Sequence, residues 1–341
     1  MGRLSTYILL LALSVPASLS LHASLNPINW FIVEDDDAST LKVTSSAEEA
    51  AAAELVEIGA RKFAAGQIGA ANRALKKCIE SYPLAFSTAE ARFLRARILM
   101  ARERWGKAFD ELQLIIEEHP DYEKFNKVIG AQFDCATAHM EGVRGKILWI
   151  FPGFRQYGRA MNEFETIVNN APYGDYAPLA LMNIALTAQQ ENEADLAIDA
   201  LDRLINYYPQ SMLAPDAYYN LAETYSNLVA GSEYDQGSTR QAISYYEDFL
   251  ALFPDSVYTG AVESNLESME NLLATSRLNL GDFYYYFRGN NTAALVFYNE
   301  AITIAPNSEA AQEATLRIDN IEAGVNPRNG QSLLRKILLV D

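Results

Sequence analysis

The chain of 341 residues is 50% hydrophobic and 21% charged, a balance that supports a sizeable buried core and excludes a disordered polypeptide. Its 44 acidic and 27 basic residues leave a formal net charge of −17, which repels nucleic-acid phosphates and anionic lipid headgroups, because both are bound through Lys and Arg displacing counterions. Cys78 and Cys135 are the only cysteines, so the fold does not depend on a disulfide framework.

At the N-terminus, Arg3 precedes the apolar run Tyr7 to Val15, followed by Pro16 and the small residues Ala17, Ser18 and Ser20. That is the layout of a secretory signal, and the run is far shorter than the roughly 20 residues a spanning helix needs. The expectation is export, with residues 1–24 as a cleaved signal peptide and 25–46, carrying Asp35, Asp36 and Asp37, as an extended or disordered lead-in.

From residue 47 the chain repeats. Pro83, Pro120, Pro172, Pro209, Pro254 and Pro306 each close an amphipathic segment, at spacings of 37, 52, 37, 45 and 52 residues. Twelve positions before each proline stands an alanine: Ala71, Ala108, Ala160, Ala197, Ala242 and Ala294. Eight before stand Leu75, Leu112, Phe164, Leu201, Tyr246 and Tyr298, and five before stand Cys78, Ile115, Ile167, Leu204, Phe249 and Ala301. These offsets put one stripe on one face of a helix, with the alanine at a close helix crossing and the proline as the stop. Upstream of each such B helix lies an A helix, with Gly59, Ala96, Ala185 and Ala222 at the matching crossing. The predicted pairs are 47–64 and 67–82, 87–102 and 105–118, 124–142 and 154–170, 175–190 and 193–207, 213–230 and 239–252, and 258–288 and 291–304, with a capping helix at 308–323. Helix, turn, helix, proline look like tetratricopeptide-repeat (TPR) units, which implies an all-α, right-handed solenoid of about six repeats over 47–323, its A helices lining a groove.

Two repeats are longer than the rest. The third carries an insertion, Gly142 to Phe154, between its helices, and the sixth has no breakers in its extra length, so one long A helix is expected. Three stretches resemble the BamD family, the TPR component of outer-membrane β-barrel assembly: Ser81 to Ala91 (Ser-Tyr-Pro-Leu-Ala-Phe-Ser-Thr-Ala-Glu-Ala), the interrupted third repeat, and Phe253-Pro-Asp-Ser-Val-Tyr258 leading to Gly281 through Gly289. The resemblance implies a non-catalytic scaffold that docks on the barrel-assembly protein and holds unfolded outer-membrane protein segments at the inner face of the outer membrane. Membrane association would run through partners, not through a spanning helix. The family usually has five repeats and a lipidated cysteine after the signal, whereas six repeats are counted here and no cysteine precedes Cys78. A free periplasmic adaptor linked to the cell envelope or division is the alternative.

Peptide-groove candidates on the A helices are Glu90, Phe93 and Arg97 in repeat 2, Met182, Asn183 and Leu186 in repeat 4, and Tyr219, Asn220 and Glu223 in repeat 5. Asn183 and Asn220 share a repeat position where peptide-clamping TPR domains resemble one another in presenting an amide, which both donates to and accepts from an extended chain. The other reading is a solvated helix face. In the insertion, Ile147, Leu148, Trp149, Phe151 and Phe154 form an apolar run that either docks a partner or folds back on the solenoid. Tyr284, Tyr285, Tyr286 and Phe287, with Tyr245, Tyr246 and Phe249, read as core, and the apolar tail Leu333 to Val340 as a cap or a docking segment. His119 and His139 fall in no metal-ligand or nucleophile motif, and there is no phosphate loop or nucleophile elbow. No enzyme activity, cofactor or metal is expected.

Overall fold

In the computed structural model the structure describes residues 44–142, 157–232 and 236–325, together with the backbone of 146–147 and 151–152. Among them the helices are α1 (Ser46–Ala64), α2 (Ile68–Ser81), α3 (Phe86–Met100), α4 (Trp105–Glu118), α5 (Phe125–Met140), α6 (Tyr157–Asn170), α7 (Tyr176–Gln190), α8 (Ala194–Tyr207), α9 (Ala214–Asn227), α10 (Gln236–Leu252), α11 (Thr259–Asp282), α12 (Asn291–Ile304) and α13 (Glu309–Glu322). Consecutive helices pack in pairs and each pair packs on the next, so the chain from α1 to α12 is a TPR solenoid of six helix pairs, closed by α13. The expected signal peptide and most of the lead-in and tail lie outside the described residues.

The recurring stripe is the seam of this stack. All six alanines twelve before the prolines are fully buried, as are all six large residues eight before. Close approach accounts for the alanines, since at a fully buried helix crossing a longer side chain would hold the pair apart. The A-helix crossing is tighter still in repeat 1, where a Cβ added to Gly59 would sit 2.5 Å from Leu75 Cδ2. In repeat 6 the equivalent residue is Gly281, whose added Cβ would meet Tyr298 Cε1 at 2.4 Å. Repeat 3 departs from the small-residue rule: Phe133 fills the crossing and packs on Phe164, ring centroids 5.4 Å apart.

Where leucine eight before the proline becomes tyrosine, the A helix supplies a carboxylate one residue beyond its crossing. Tyr246 donates to Glu223 Oε1 at 2.5 Å, and Tyr298 to Asp282 Oδ1 at 2.7 Å. A buried hydroxyl without such an acceptor would cost about 1–3 kcal/mol, so each substitution of tyrosine needs its acid.

The prolines do more than stop helices. In every repeat the amide two residues after the proline donates to the carbonyl before it, from Ala85 to Tyr82 in the first junction through Ser308 to Ala305 in the last. Proline is thus the second residue of a β-turn, where its fixed φ is already in place. The acidic Glu49 of α1 then accepts from the amides of Phe86 and Ser87 at 2.8 and 3.0 Å, capping α3 from the neighbouring repeat. Further along the stack, Arg203 on α8 grips Glu165 on α6 with two bonds of 2.9 Å.

One sequence expectation about helices needs correction. The sixth A helix is not uniform to residue 288: α11 ends at Asp282 and Phe283–Arg288 form a π-helical turn closed by Gly289 at φ 64. The wider turn re-aims consecutive aromatics. Tyr284 stacks on Phe297 of α12 at 5.4 Å, while Tyr285 reaches the Val325 carbonyl beyond α13 at 2.7 Å. Within the insertion of repeat 3, β1 (Lys146–Ile147) pairs antiparallel with β2 (Phe151–Pro152).

Both cysteines are buried and free. His119 precedes Pro120 at a junction, and burial pushes its imidazole below the ordinary value of 6.5, against the raising influence of Glu118. Its Nε2 has no hydrogen-bond partner among the described residues. The unfolded chain therefore binds a proton that the folded one refuses, and stability falls as pH drops through about 6.5 towards the depressed value. His119→Phe is expected to flatten that part of a Tm-against-pH curve between pH 7.5 and 5.5; parallel curves for the two proteins would remove His119 from the acid sensitivity.

Candidate functional site

The A-helix candidates fall into two groups once their contacts are known. Several are occupied in holding the stack together. Glu90 accepts from the Tyr122 hydroxyl and from Lys124 Nζ, the latter at 2.7 Å, tying α3 to the start of α5. Phe93 packs beside Tyr122 with centroids 6.4 Å apart. Met182 is buried in the core of repeats 2 to 5. Glu223 holds Tyr246 and also accepts from Asn265 Nδ2 at 2.7 Å, bridging α9 to α11. Tyr219 stacks flat on Tyr258, centroids 4.9 Å apart and 8° between planes, while the Tyr258 hydroxyl donates to Asp216 at 2.8 Å.

Others keep free atoms. Arg97 is exposed and lies over the Phe63 ring at 5.9 Å, a cation–π contact. Leu186 and the neighbouring Leu179 are exposed on α7. The two equivalent asparagines differ: Asn220 spends its amide nitrogen on the Asp216 carbonyl at 2.7 Å, whereas the Asn183 side chain has no hydrogen bond among the described residues. The α7 face with Leu179, Asn183 and Leu186 is thus the part of the expected groove that offers an open amide beside exposed apolar surface.

Of the insertion candidates, Ile147 and Phe151 are paired with each other through their backbones. Leu148, Trp149 and Phe154 lie outside the described residues.

The turn edge of the solenoid was not anticipated. Tyr173 is 99% exposed, Met212 94% and Val257 93%, and Leu84, Phe86 and Tyr207 are exposed as well. Tyr173, Leu179, Tyr207 and Met212 border one cavity of about 690 Å³ between the junctions after Pro172 and Pro209. The available signal was a large apolar residue one or three places after the proline, off the helical stripe and therefore without a core role.

One cluster combines the residue types of a nucleophile, a base and an orienting acid: Cys135 and His139 one turn apart on α5, and Glu163 on α6. Its electrostatics point to packing. Glu163 is buried, faces His139 Nδ1 at 2.6 Å and accepts from Arg159 Nε at 2.7 Å. The Cys135 thiol is pushed up to about 12 by burial, with the Glu163 charge adding to it, so no thiolate is available at neutral pH. Among the described residues no group of three or more His, Cys, Asp or Glu is placed to hold a metal, and no helix is long and apolar enough to cross a membrane.

Against known proteins, residues 154–325 match the family model of the YfiO outer membrane lipoproteins, and residues 56–123 a tetratricopeptide-repeat model. Among curated proteins, the outer membrane protein assembly factor BamD of Rickettsia prowazekii is 27% identical over 54% of this chain and 70% of its own length. The factor of the same name from Caulobacter vibrioides is 22% identical over 48% of this chain, which spans about half of that relative, 53%. Among solved structures, a tetratricopeptide repeat protein from Parabacteroides merdae aligns at 14% identity and TM-score 0.35, covering 78% of this chain and 97% of the other.

Proposed function

The chain belongs to the YfiO family of outer membrane lipoproteins, whose model takes in half of it, and on that premise we propose that it is a non-catalytic scaffold in outer-membrane protein assembly, docking on the barrel-assembly protein. The observation that carries this reading is the match over 154–325, which coincides with the B helix of repeat 3, repeats 4 to 6 and the closing helix α13. The similar curated proteins are named outer membrane protein assembly factors.

A stack of helix pairs suits that task because it presents a long surface without requiring any residue to move. Segments of unfolded outer-membrane proteins would lie on the α7 face, the Asn183 amide pairing with their backbone and Leu179 and Leu186 with their side chains. The insertion in repeat 3 would be a second docking element. The protein would act on the periplasmic side of the outer membrane and associate with it through its partners.

The test is purification of the tagged full chain from detergent-solubilised envelopes. The expected result is stoichiometric recovery with the barrel-assembly protein, together with fewer folded barrels in the outer membrane when the protein is depleted. Recovery of the chain only as a free soluble species, with barrel levels unaffected by depletion, would overturn the reading.

A further inference from the structure

A cavity of about 840 Å³ opens where the B helices of repeats 5 and 6, α10 and α12, flank the A helix α11. Its floor carries Arg277, which is 6% exposed. The Nε and Nη2 of that guanidinium have no hydrogen-bond partner among the described residues. Among the described residues the acid paired with it is Glu300, whose Oε2 lies 3.3 Å from Nε but off the N–H direction. A second guanidinium, Arg240, stands exposed at the mouth with no carboxylate beside it among the described residues. In a chain of net charge −17, two arginines sharing one cavity with a single poorly aimed acid is, among the described residues, an excess of positive charge.

The physical cost of this arrangement points to a ligand. A buried guanidinium presents five donors in a fixed fork, and leaving them unpaired is among the more expensive choices a protein interior makes. Replacing Arg277 with an aliphatic residue would be easier for packing, because Leu273 and Leu295 already line the walls. A carboxylate entering the cavity would complete the fork, and Val296, half-exposed on the rim, would receive an aliphatic group next to it.

The rim distinguishes a peptide from a fatty acid. Asn299 gives its amide nitrogen to the Leu295 carbonyl at 2.7 Å, and the Thr303 hydroxyl donates to the Asn299 carbonyl at 2.8 Å. Asn299 keeps its Oδ1 and one N–H, and Thr303 keeps an acceptor lone pair on its hydroxyl. Backbone N–H groups would use those acceptors, and a fatty acid has none to give. We propose that this cavity binds a segment of a partner protein that carries an acidic side chain beside an aliphatic one, the acid between Arg277 and Arg240. The proposal rests on the reading of the chain as a protein-docking scaffold and names one contact of it.

The experiment uses the full chain and fluorescence anisotropy with a labelled, N-acetylated and C-amidated peptide Leu-Val-Glu-Leu-Leu, the same peptide with glutamine in place of glutamate, and laurate as competitor. The glutamate peptide is expected to bind at least tenfold more tightly than the glutamine peptide, with affinity falling as salt rises. Arg277→Met should weaken binding at least tenfold while the Tm holds or rises, because the variant sheds an unpaired buried charge. Arg240→Ala, on the surface, should weaken it severalfold with Tm unchanged, which keeps the test independent of how Arg277→Met folds. Laurate should not displace the peptide. Equal affinity for both peptides, unchanged affinity in both variants, no peptide binding, or displacement by laurate would each overturn the proposal. Failure of the envelope co-purification with these binding results intact would overturn the assembly role and leave the cavity's chemistry standing.

Discussion

Phe164→Ala is expected to lower the unfolding free energy by about 3–5 kcal/mol. Phe164 is fully buried, its ring meets Phe133 across the one A-helix crossing that lacks a small residue, and it belongs to the core shared by repeats 2 to 5. No neighbour can collapse into the vacancy without moving α5 against α6, because the seam alanine Ala160 and Ile167 are already in full contact. Urea denaturation followed by circular dichroism measures the loss. Asn183→Ala, on the open face of α7, should stay within about 0.5 kcal/mol of the parent and serves as the control. Equal losses from the two substitutions would mean that the stripe is not the seat of stability.

The second large effect is at the crossing of repeat 6. Gly281→Ala forces a methyl to within 2.4 Å of the Tyr298 ring, closer than carbon atoms approach, so α11 and α12 must separate or the ring must leave its rotamer. The ring is not free to turn, since its hydroxyl is held by Asp282, which Arg317 of α13 also contacts at 3.3 Å. The expected cost is about 1–3 kcal/mol. Tyr298→Leu in the same chain should recover part of it, because repeats 2 and 4 combine alanine with leucine at these two positions (Ala96 with Leu112, Ala185 with Leu201), all in the buried core. Denaturation of the two single variants and the double variant gives the coupling. Strict additivity of the two losses would show that the glycine and the ring do not meet.

These two predictions also mark where the sequence was sufficient and where it was not. The alanines twelve before the prolines and the large residues eight before them were recognisable as a seam without any coordinates, since burial on one helix face imposes a spacing that the chain displays directly. Phe133 and Gly281 were not recognised as crossing residues. The first breaks the small-residue pattern, and the second stands 25 residues before its proline, where Gly59, Ala96 and Ala185 stand 24 before theirs. The candidate groove shows the same division. Glu90, Phe93, Met182 and Glu223 sit on the expected helices, yet their partners, Tyr122, Lys124, Tyr246 and Asn265, come from other elements. Spacing within a helix carries no record of such pairings.

By itself, then, the sequence determined the all-helical repeat, its six pairs, the buried stripe and the family resemblance, because each is a local periodicity or a short motif that can be read along the chain. Only the tertiary structure decided which polar groups are consumed between repeats and which remain open. It made Glu223 and Asp282 acceptors for buried tyrosines, left the Asn183 amide free and the Asn220 amide engaged, and brought Arg240 and Arg277 to one cavity from residues 37 apart. The physical reason is that a hydrogen bond or an ion pair depends on distances of about 3 Å between side chains of different helices, and those distances follow from how the pairs stack, not from the order of residues within them.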